Sequence, residues 1–166
     1  QGNVADIRWQ ASNTIPAHSA RRVFSISGQS SPFNFLGNFS GLPNDVRTAL
    51  QSGSNPGRIP SDERFVDYLR GRELVTDNDG VLFRQREEKM GAMVNPPSIY
   101  MGGDRDFAYD LVEGGGSVSG SEIYEAYVRT KVDLPASLFV ATNAGQVHAF
   151  GAVTGTELAA FMPRRS

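Results

Sequence analysis

Residues 137–161 read SLFVATNAGQVHAFGAVTGTELAAF, and this stretch carries the clearest strand pattern in the chain. Three short apolar runs, SLFVAT, QVHAF and TELAAF, are separated by turn residues at 143–145 and 154–155. Short runs joined by glycine-containing turns are typical of antiparallel strands. The stretch therefore predicts a three-stranded antiparallel meander.

Such a meander is incomplete on its own. Three strands leave two unpaired edges and an apolar face, and a sheet of this size is marginally stable in water. Packing several copies around an axis, as in a β-propeller, covers those faces. No other stretch of the chain repeats the pattern. From these residues alone, a propeller blade and any other antiparallel meander remain open interpretations.

The composition is that of about one ordinary domain with many turns. The chain has 166 residues, of which 39% are hydrophobic and 20% charged, with 18 Gly and 9 Pro. A net charge of −2 without a basic cluster argues against nucleic acid and acidic lipid as partners. The absence of Cys excludes disulfides, thiolate metal sites and a cysteine nucleophile.

Neither a membrane span nor a leader is expected in this chain. No apolar run approaches the ~18 residues that a transmembrane helix needs. The first ten residues lack the charged-then-apolar pattern of a signal peptide. The protein is therefore expected either not to be exported or to be a mature or trimmed piece.

The first half of the chain carries weaker signals. DIRWQ (6–10) and RRVFSIS (21–27) indicate strands, and residues 30–43 indicate a loop whose three phenylalanines pack onto the body. The pair Pro96-Pro97 interrupts a strand over 90–103, which suits an edge strand or a bulge and not the centre of a sheet. A turn is predicted at 77–80, between two short strand-like runs.

Helices are predicted in three places. Residues 42–51 contain Pro43 near their start and carry Asn44 or Asp45 as a cap. Residues 61–72 begin with Ser61 as the cap and end at Gly71. Residues 121–133 place four apolar side chains on one face and end before Leu134-Pro135.

From residue 65 onward the chain resembles a known family. The runs FVDYLRG, FRQREEKMGAMVNPPSIYMGG and SLFVATNAGQVHAFGAVTGTELAAFMPR follow one another in the order and spacing of the PilY family. Members of that family are large, type IV pilus-associated surface proteins. The blade-like stretch is also similar to blades of quinoprotein-type propellers. Residues 1–64 match the family only loosely.

The resemblance implies a mainly β fold with two or three helices and a partial β-propeller with helical insertions. Residues 65–166 are then the beginning of a PilY-type propeller with its blade at 138–162, and residues 1–64 are a preceding segment with strands and a helix. The remaining blades are expected downstream of this chain. The positions expected to matter for packing and turns in the blade are Phe139, Val140, Gly145, Phe150, Thr154 and Gly155.

The resemblance also implies a function. It is that of a non-enzymatic pilus biogenesis factor or adhesin at the fimbrium, supporting twitching motility and binding minor pilins, the pilus tip, and host or abiotic surfaces. The location implied is the exported side of the cell, at the surface, pilus tip or outer membrane. Two alternatives are a fragment of a quinoprotein-like dehydrogenase and a generic propeller scaffold for protein assembly.

Four acids of the family pattern are absent. Arg72 replaces the acid of an RGD-like run, and Ala92, Ala144 and Gly151 replace three others. The adhesive tripeptide activity is therefore not carried over. The other three changes predict softer turns, because Asp side chains hydrogen-bond their own turns.

Reactive groups are sparse. His18 and His148 are the two histidines, and the pattern predicts a packed or hydrogen-bonded role for His148. No catalytic residue and no cofactor site are expected in this segment. Two isolated histidines without cysteines make a transition-metal site unexpected.

Two acidic stretches are candidates for a calcium site. Asp77, Asp79 and Gly80 fit part of an EF-hand loop, but Val75 and Arg86 occupy two ligand positions, so a solvent-exposed turn is favoured. Weaker candidates for a surface cation lie in a glycine-rich loop, at Asp104, Asp106 and Asp110. The calcium loop of the family resembles nothing here and is expected in the parent protein outside this chain.

Overall fold

The chain is described by a computed structural model, which covers residues 7–28, 31–52, 59–77, 80–81, 83–94, 97–103, 108 and 121–163. Within them lie a six-stranded mixed sheet, a two-stranded hairpin, four α-helices and two 3-10 turns. The helices are α1 (Ala11–Thr14), α2 (Asn44–Ser52), α3 (Glu63–Leu69) and α4 (Ser121–Lys131). The strands are β1 (Val23–Ser27), β2 (Ser31–Asn34), β3 (Thr76–Asp77), β4 (Gly80–Val81), β5 (Ile99–Met101), β6 (Ser137–Ala141), β7 (Val147–Gly151) and β8 (Glu157–Phe161).

The predicted meander is confirmed. Strands β6, β7 and β8 pair antiparallel in sequence order, with an irregularity in the β7–β8 register after Ala149. The two turns contain Gly145 at φ +77° and Gly155 at φ +69°. Both angles lie in the left-handed region that glycine adopts without steric cost, which is why these turns carry glycine.

Both edges of the meander are covered. Strand β5 pairs antiparallel with β6, and β1 pairs parallel with β8 and antiparallel with β2. The resulting sheet is open, in the order β2-β1-β8-β7-β6-β5. The two edges that the meander would leave unpaired on its own are therefore covered by strands from other parts of the chain. The expected edge position of β5, just after Pro97, is confirmed within the described sheet.

Three local predictions need correction. Residues 7–10 form no strand, since Trp9 is held by its side chain: the indole Nε1 donates to the carbonyl oxygen of Ala152 at 3.1 Å. The loop expected over 30–43 contains β2, which pairs along β1. Helix α3 is capped by Asp62 and not by Ser61, because the Asp62 carboxylate accepts the hydrogen bond from the Arg64 amide at 3.0 Å.

The remaining helix and turn predictions hold in outline. Helices α2 and α4 lie where the sequence places them, and Gly71 follows the end of α3 at φ +101°. Strands β3 and β4 form the hairpin expected around 77–80. The fold is therefore mixed, with more helix than a mainly β class implies.

The core lies between the sheet and the N-terminal elements. Phe35 and Phe39 from the segment after β1 are buried there, and Phe33 packs against Phe35 with ring centroids 5.0 Å apart. This confirms that the phenylalanine-rich segment packs onto the body. The buried members of the core come from both sides of residue 64: Val23, Phe35, Phe39, Leu42, Val46, Phe65, Val66 and Ala160. The division of the chain at that residue stays a prediction.

Candidate functional site

A buried ion pair joins the N-terminal segment to the meander. The Arg21 guanidinium donates from Nε to Glu157 Oε2 at 2.6 Å and from Nη2 to Glu157 Oε1 at 2.7 Å. Arg21 is 1% exposed and Glu157 7%. Two parallel hydrogen bonds of this kind form the strongest and most directional ion pair that side chains make.

His148 completes the pairing of the carboxylate. Its Nδ1 lies 2.7 Å from Glu157 Oε1, and its ring stacks on Phe150 with centroids 5.8 Å apart. The side chain is completely buried, so the packed and hydrogen-bonded role predicted for His148 is confirmed.

The charge state of Glu157 follows from these contacts. Burial raises the pKa of Glu157, because a buried carboxylate loses its hydration. Hydrogen bonds from His148 and Arg21, together with the positive charge of Arg21, lower the pKa of Glu157 by more than burial raises it. The pKa of Glu157 therefore lies below its usual value, and the group is ionised at neutral pH.

The same network reaches the end of helix α3. Arg21 Nη1 donates to the carbonyl oxygen of Arg70 at 2.6 Å, and Gln146 Nε2 donates to that of Leu69 at 2.9 Å. Gly71 is required beside it, because a Cβ there would lie 2.7 Å from Arg21 Nη1. We call Arg21, Arg70, Gln146, His148 and Glu157 the ionic network. It fixes β1, α3 and the meander relative to one another.

The Thr142 hydroxyl lies beside the ionic network, so that a carboxylate (Glu157), an imidazole (His148) and a hydroxyl follow one another in space. His148 Nε2 lies 3.5 Å from Thr142 Oγ1, which also lies 3.3 Å from the carbonyl oxygen of Gln146. Arg21 occupies both oxygens of Glu157, and the imidazole is sealed from solvent. The imidazole and the carboxylate are therefore buried and paired within the fold.

The six positions singled out in the blade fall into packing and turn sites. Val140 on β6 and Phe150 on β7 are buried, and Phe139, next to Val140 on β6, is half-buried. In the second turn, Thr154 Oγ1 accepts a hydrogen bond from the Thr156 amide at 3.3 Å. The six positions are thus spread over the meander and do not converge on one point.

Trp9 covers the second turn. A Cβ at Gly155 would lie 2.3 Å from Trp9 Cδ2, so the indole rests directly on the glycine backbone. The Trp9 and Phe150 ring centroids are 5.9 Å apart. Sequence reasoning missed this contact and the role of Arg21, because neither residue lies near its partner in the chain. The one available signal was Glu157, an acid in an otherwise apolar strand.

Most of the calcium candidates are not among the residues that the structure describes. Asp79, Asp104, Asp106 and Asp110 lie outside the described residues. Asp77 ends strand β3 of the hairpin. Among the residues that the structure describes, no group of three or more His, Asp or Glu side chains is arranged to hold a metal ion.

Two surface depressions flank the meander. A polar hollow of about 810 Å³ lies beside the first turn, lined in part by Arg84, Glu87, Ala92 and Ala144. The Asn143 amide donates to the carbonyl oxygen of Ala92 at 3.0 Å, so two positions that lack the family acid lie next to each other. An apolar groove lies on the other side, between β5, β6 and the end of α4.

The comparison with curated proteins gives a relative of this chain. It is a type IV pilus biogenesis factor PilY1 homolog of Xylella fastidiosa, 31% identical over 118 residues. This similarity supports a relationship to the PilY family. The matched part covers 71% of this chain but 9% of that protein, so the chain spans a small part of its relative. No family model matches the chain, and no solved structure matches it significantly.

Among the described helices, none combines the length and the apolar character that crossing a membrane requires.

Proposed function

We propose that this chain is part of a type IV pilus biogenesis factor and that it acts by binding other proteins, without catalysis. The observation that carries this proposal is the 31% identity over 118 residues to the PilY1 homolog. The ionic network supports the non-catalytic part of this proposal, because the imidazole of His148 and the carboxylate of Glu157 are buried and already paired.

In this proposal strands β5 to β8 form one propeller blade. Four antiparallel strands in sequence order are the unit from which propellers are built. The observed pairing of β5 with β6, β6 with β7 and β7 with β8 has that form. Strands β1 and β2 extend the blade beyond β8, which is an addition to a simple four-stranded unit.

The proposed partners are minor pilins at the pilus tip, and host or abiotic surfaces. The proposed location is the cell surface or the pilus itself. The proposed role includes adhesion and twitching motility. Calcium, if the parent protein binds it, would be held by residues outside this chain.

The gene that encodes the protein can be deleted and complemented to test the proposal. We expect the deletion to reduce sheared surface pilin and twitching, and the wild-type gene to restore both. Glu157→Ala should restore them poorly, because it removes the anion between Arg21 and His148. Arg84→Gln, at an exposed position, is the matched control and should restore both fully. Normal piliation and twitching in the deletion strain would rule out the pilus role.

A further inference from the structure

The second turn of the meander, between β7 and β8, holds the indole of Trp9. The ring lies directly on the Gly155 backbone, where a Cβ would lie 2.3 Å from Trp9 Cδ2. The indole Nε1 donates to the carbonyl oxygen of Ala152 at 3.1 Å, and the ring centroid lies 5.9 Å from that of Phe150. The turn therefore offers a flat stretch of backbone, a hydrogen-bond acceptor and an aromatic neighbour to a single side chain.

These features match an indole better than a phenyl ring. Glycine lets a ring approach the backbone closely, because no Cβ stands in the way. Either ring can cover the glycine, but the indole also has an N–H that needs an acceptor when it is buried. The Ala152 carbonyl provides that acceptor, so a phenylalanine in the same place would lose the hydrogen bond.

The segment that carries Trp9 is short and exposed. Residues 7–10, which we call the strap, form no strand. Ile7 is 88% exposed, and Arg8 and Gln10 are exposed beside the half-buried Trp9. Within the described part of the chain, the hydrogen bonds and ring contacts between the strap and the sheet are those of Trp9. A segment attached in this way opens at a lower cost in free energy than a strand in a ladder.

We infer that the second turn is a binding site for a tryptophan side chain, that Trp9 covers it as an internal ligand, and that a tryptophan of another polypeptide binds there when the strap lifts. The contacts of Trp9 define the ligand, since a second indole would make the same contacts with Gly155, Ala152 and Phe150. Trp9 is then an autoinhibitory contact, because a site that is open for only a fraction of the time binds more weakly. The inference goes beyond the pilus role and does not depend on it.

Displacement of Trp9 in the wild-type chain tests the inference directly. The chain contains one Trp, so its indole N–H gives one resonance in the isotope-labelled protein. The probe is unlabelled N-acetyltryptophanamide, whose blocked ends resemble a residue within a polypeptide. We expect it to shift the Gly155 amide and to move the Trp9 resonance toward the position of a solvent-exposed tryptophan. The analogue methylated at the indole nitrogen should bind about fivefold more weakly, because it cannot donate to Ala152.

Removal of the internal ligand gives a second measurement. The probe should bind Trp9→Ala at least about tenfold more tightly than the wild type, because the competitor is gone. Trp9→Phe keeps a ring that can cover the glycine but has no N–H, so its dissociation constant should lie between those two. Circular dichroism shows which variants are folded, and the wild-type titration decides the question if Trp9→Ala is unfolded.

Two glycine variants form a matched pair. Gly155 has φ +69° and Gly37 has φ +70°, but a Cβ at Gly37 would meet nothing within 4 Å. Gly155→Ala should move the Trp9 resonance without any probe and abolish probe binding, whereas Gly37→Ala should change neither.

Three results would overturn the inference. They are a Trp9 resonance that stays in place up to the solubility limit of the probe, equal binding of the probe and its methylated analogue, and no binding to folded Trp9→Ala. Free tryptophan that binds more tightly than the blocked probe would also overturn it, because the turn would then be a site for the amino acid and not for a polypeptide.

Discussion

Strand β8 is held differently on its two sides. On one side it pairs antiparallel with β7, its neighbour in sequence, through a turn containing Gly155. On the other side it pairs parallel with β1, and the pairing is accompanied by the Arg21–Glu157 ion pair between residues 136 positions apart. The first contact is encoded by a turn, and the second by buried side chains.

This difference has a physical reason. A tight turn closes a short loop, and its cost in chain entropy is small. Bringing β1 to β8 closes a long loop, and the ladder between them is short, with two register pairs. The ionic network and Trp9 supply the specific contacts that fix this distant pairing. We predict that the buried Arg21–Glu157 pair fixes which strand pairs with β8 on this side, because leaving either group buried without its partner is costly.

The largest effect is expected from a substitution that breaks the contact between β8 and the distant strand β1. Arg21→Ala leaves Glu157 and His148 buried without the guanidinium, and removal of one partner of a buried pair costs about 3–5 kcal/mol. Urea denaturation followed by circular dichroism measures the free energy of unfolding. Arg22→Ala is the matched control, because Arg22 is exposed and donates to the carbonyl oxygen of Leu158. A loss below about 1 kcal/mol for Arg21→Ala would contradict the role given to the network.

A second change tests the cover over the turn. Trp9→Ala removes a half-buried indole that packs on Gly155 and Phe150. We expect a loss of about 2 kcal/mol, below the ~3–5 kcal/mol typical of a fully buried tryptophan. Gly155→Ala should also destabilise, because its Cβ would meet the indole and its φ is +69°.

The double variant Trp9→Ala/Gly155→Ala should lose less than the sum of the two single losses. Removal of the indole takes away the clash and leaves the backbone strain, which costs about 1–2 kcal/mol. Strict additivity in thermal or chemical unfolding would show that the two residues do not touch.

The third prediction concerns pH. Because the folded pKa of Glu157 lies below its usual value of 4.5, the ionised group stabilises the fold above that value. This contribution is lost as pH falls through the folded pKa. The free energy of unfolding of the wild type should therefore fall more steeply below pH 4.5 than that of Glu157→Gln. Parallel curves for the two proteins would contradict the lowered pKa.

The smallest effect is expected in the meander itself, at the turn between β6 and β7. Ala144→Asp restores an acid to the exposed first turn, where Asp side chains can hydrogen-bond the turn backbone. We expect a gain within about 0.5 kcal/mol, as for most surface substitutions. A loss of stability of more than about 0.5 kcal/mol would contradict this expectation. It would show that the small side chain of Ala144 is needed for close packing against Gly91, where a Cβ would lie 2.6 Å from Ala144 Cβ.

The local features of this molecule could be predicted from sequence. The meander, its two glycine turns and helices α2 and α4 depend on neighbouring residues, whose pattern is visible in the chain. The prolines within 90–103 predicted an edge strand or a bulge, because proline lacks the amide that a central strand needs, and β5 lies at the edge of the described sheet.

The distant features could not be predicted in the same way. Nothing around Arg21 indicates a partner in Glu157, and no period in the sequence pairs β1 with β8. The strand expected around Trp9 was wrong because its side chain, and not a backbone ladder, fixes that segment. Of the candidate site, the packed or hydrogen-bonded role of His148 was predicted, and the apolar groove was not, since three separate elements build it.

Amide hydrogen exchange in Arg21→Ala tests the central claim, that buried side chains hold β1 to β8 while the meander holds itself. The Ala160 and Met162 amides donate to the carbonyl oxygens of Arg22 and Phe24, across the β1–β8 junction, whereas the Gly151 amide donates to Thr156 at the local turn. In the variant we predict much faster exchange at Ala160 and Met162, with Gly151 exchanging as in the wild type. Equal acceleration at all three amides, or none at Ala160 and Met162, would contradict the claim.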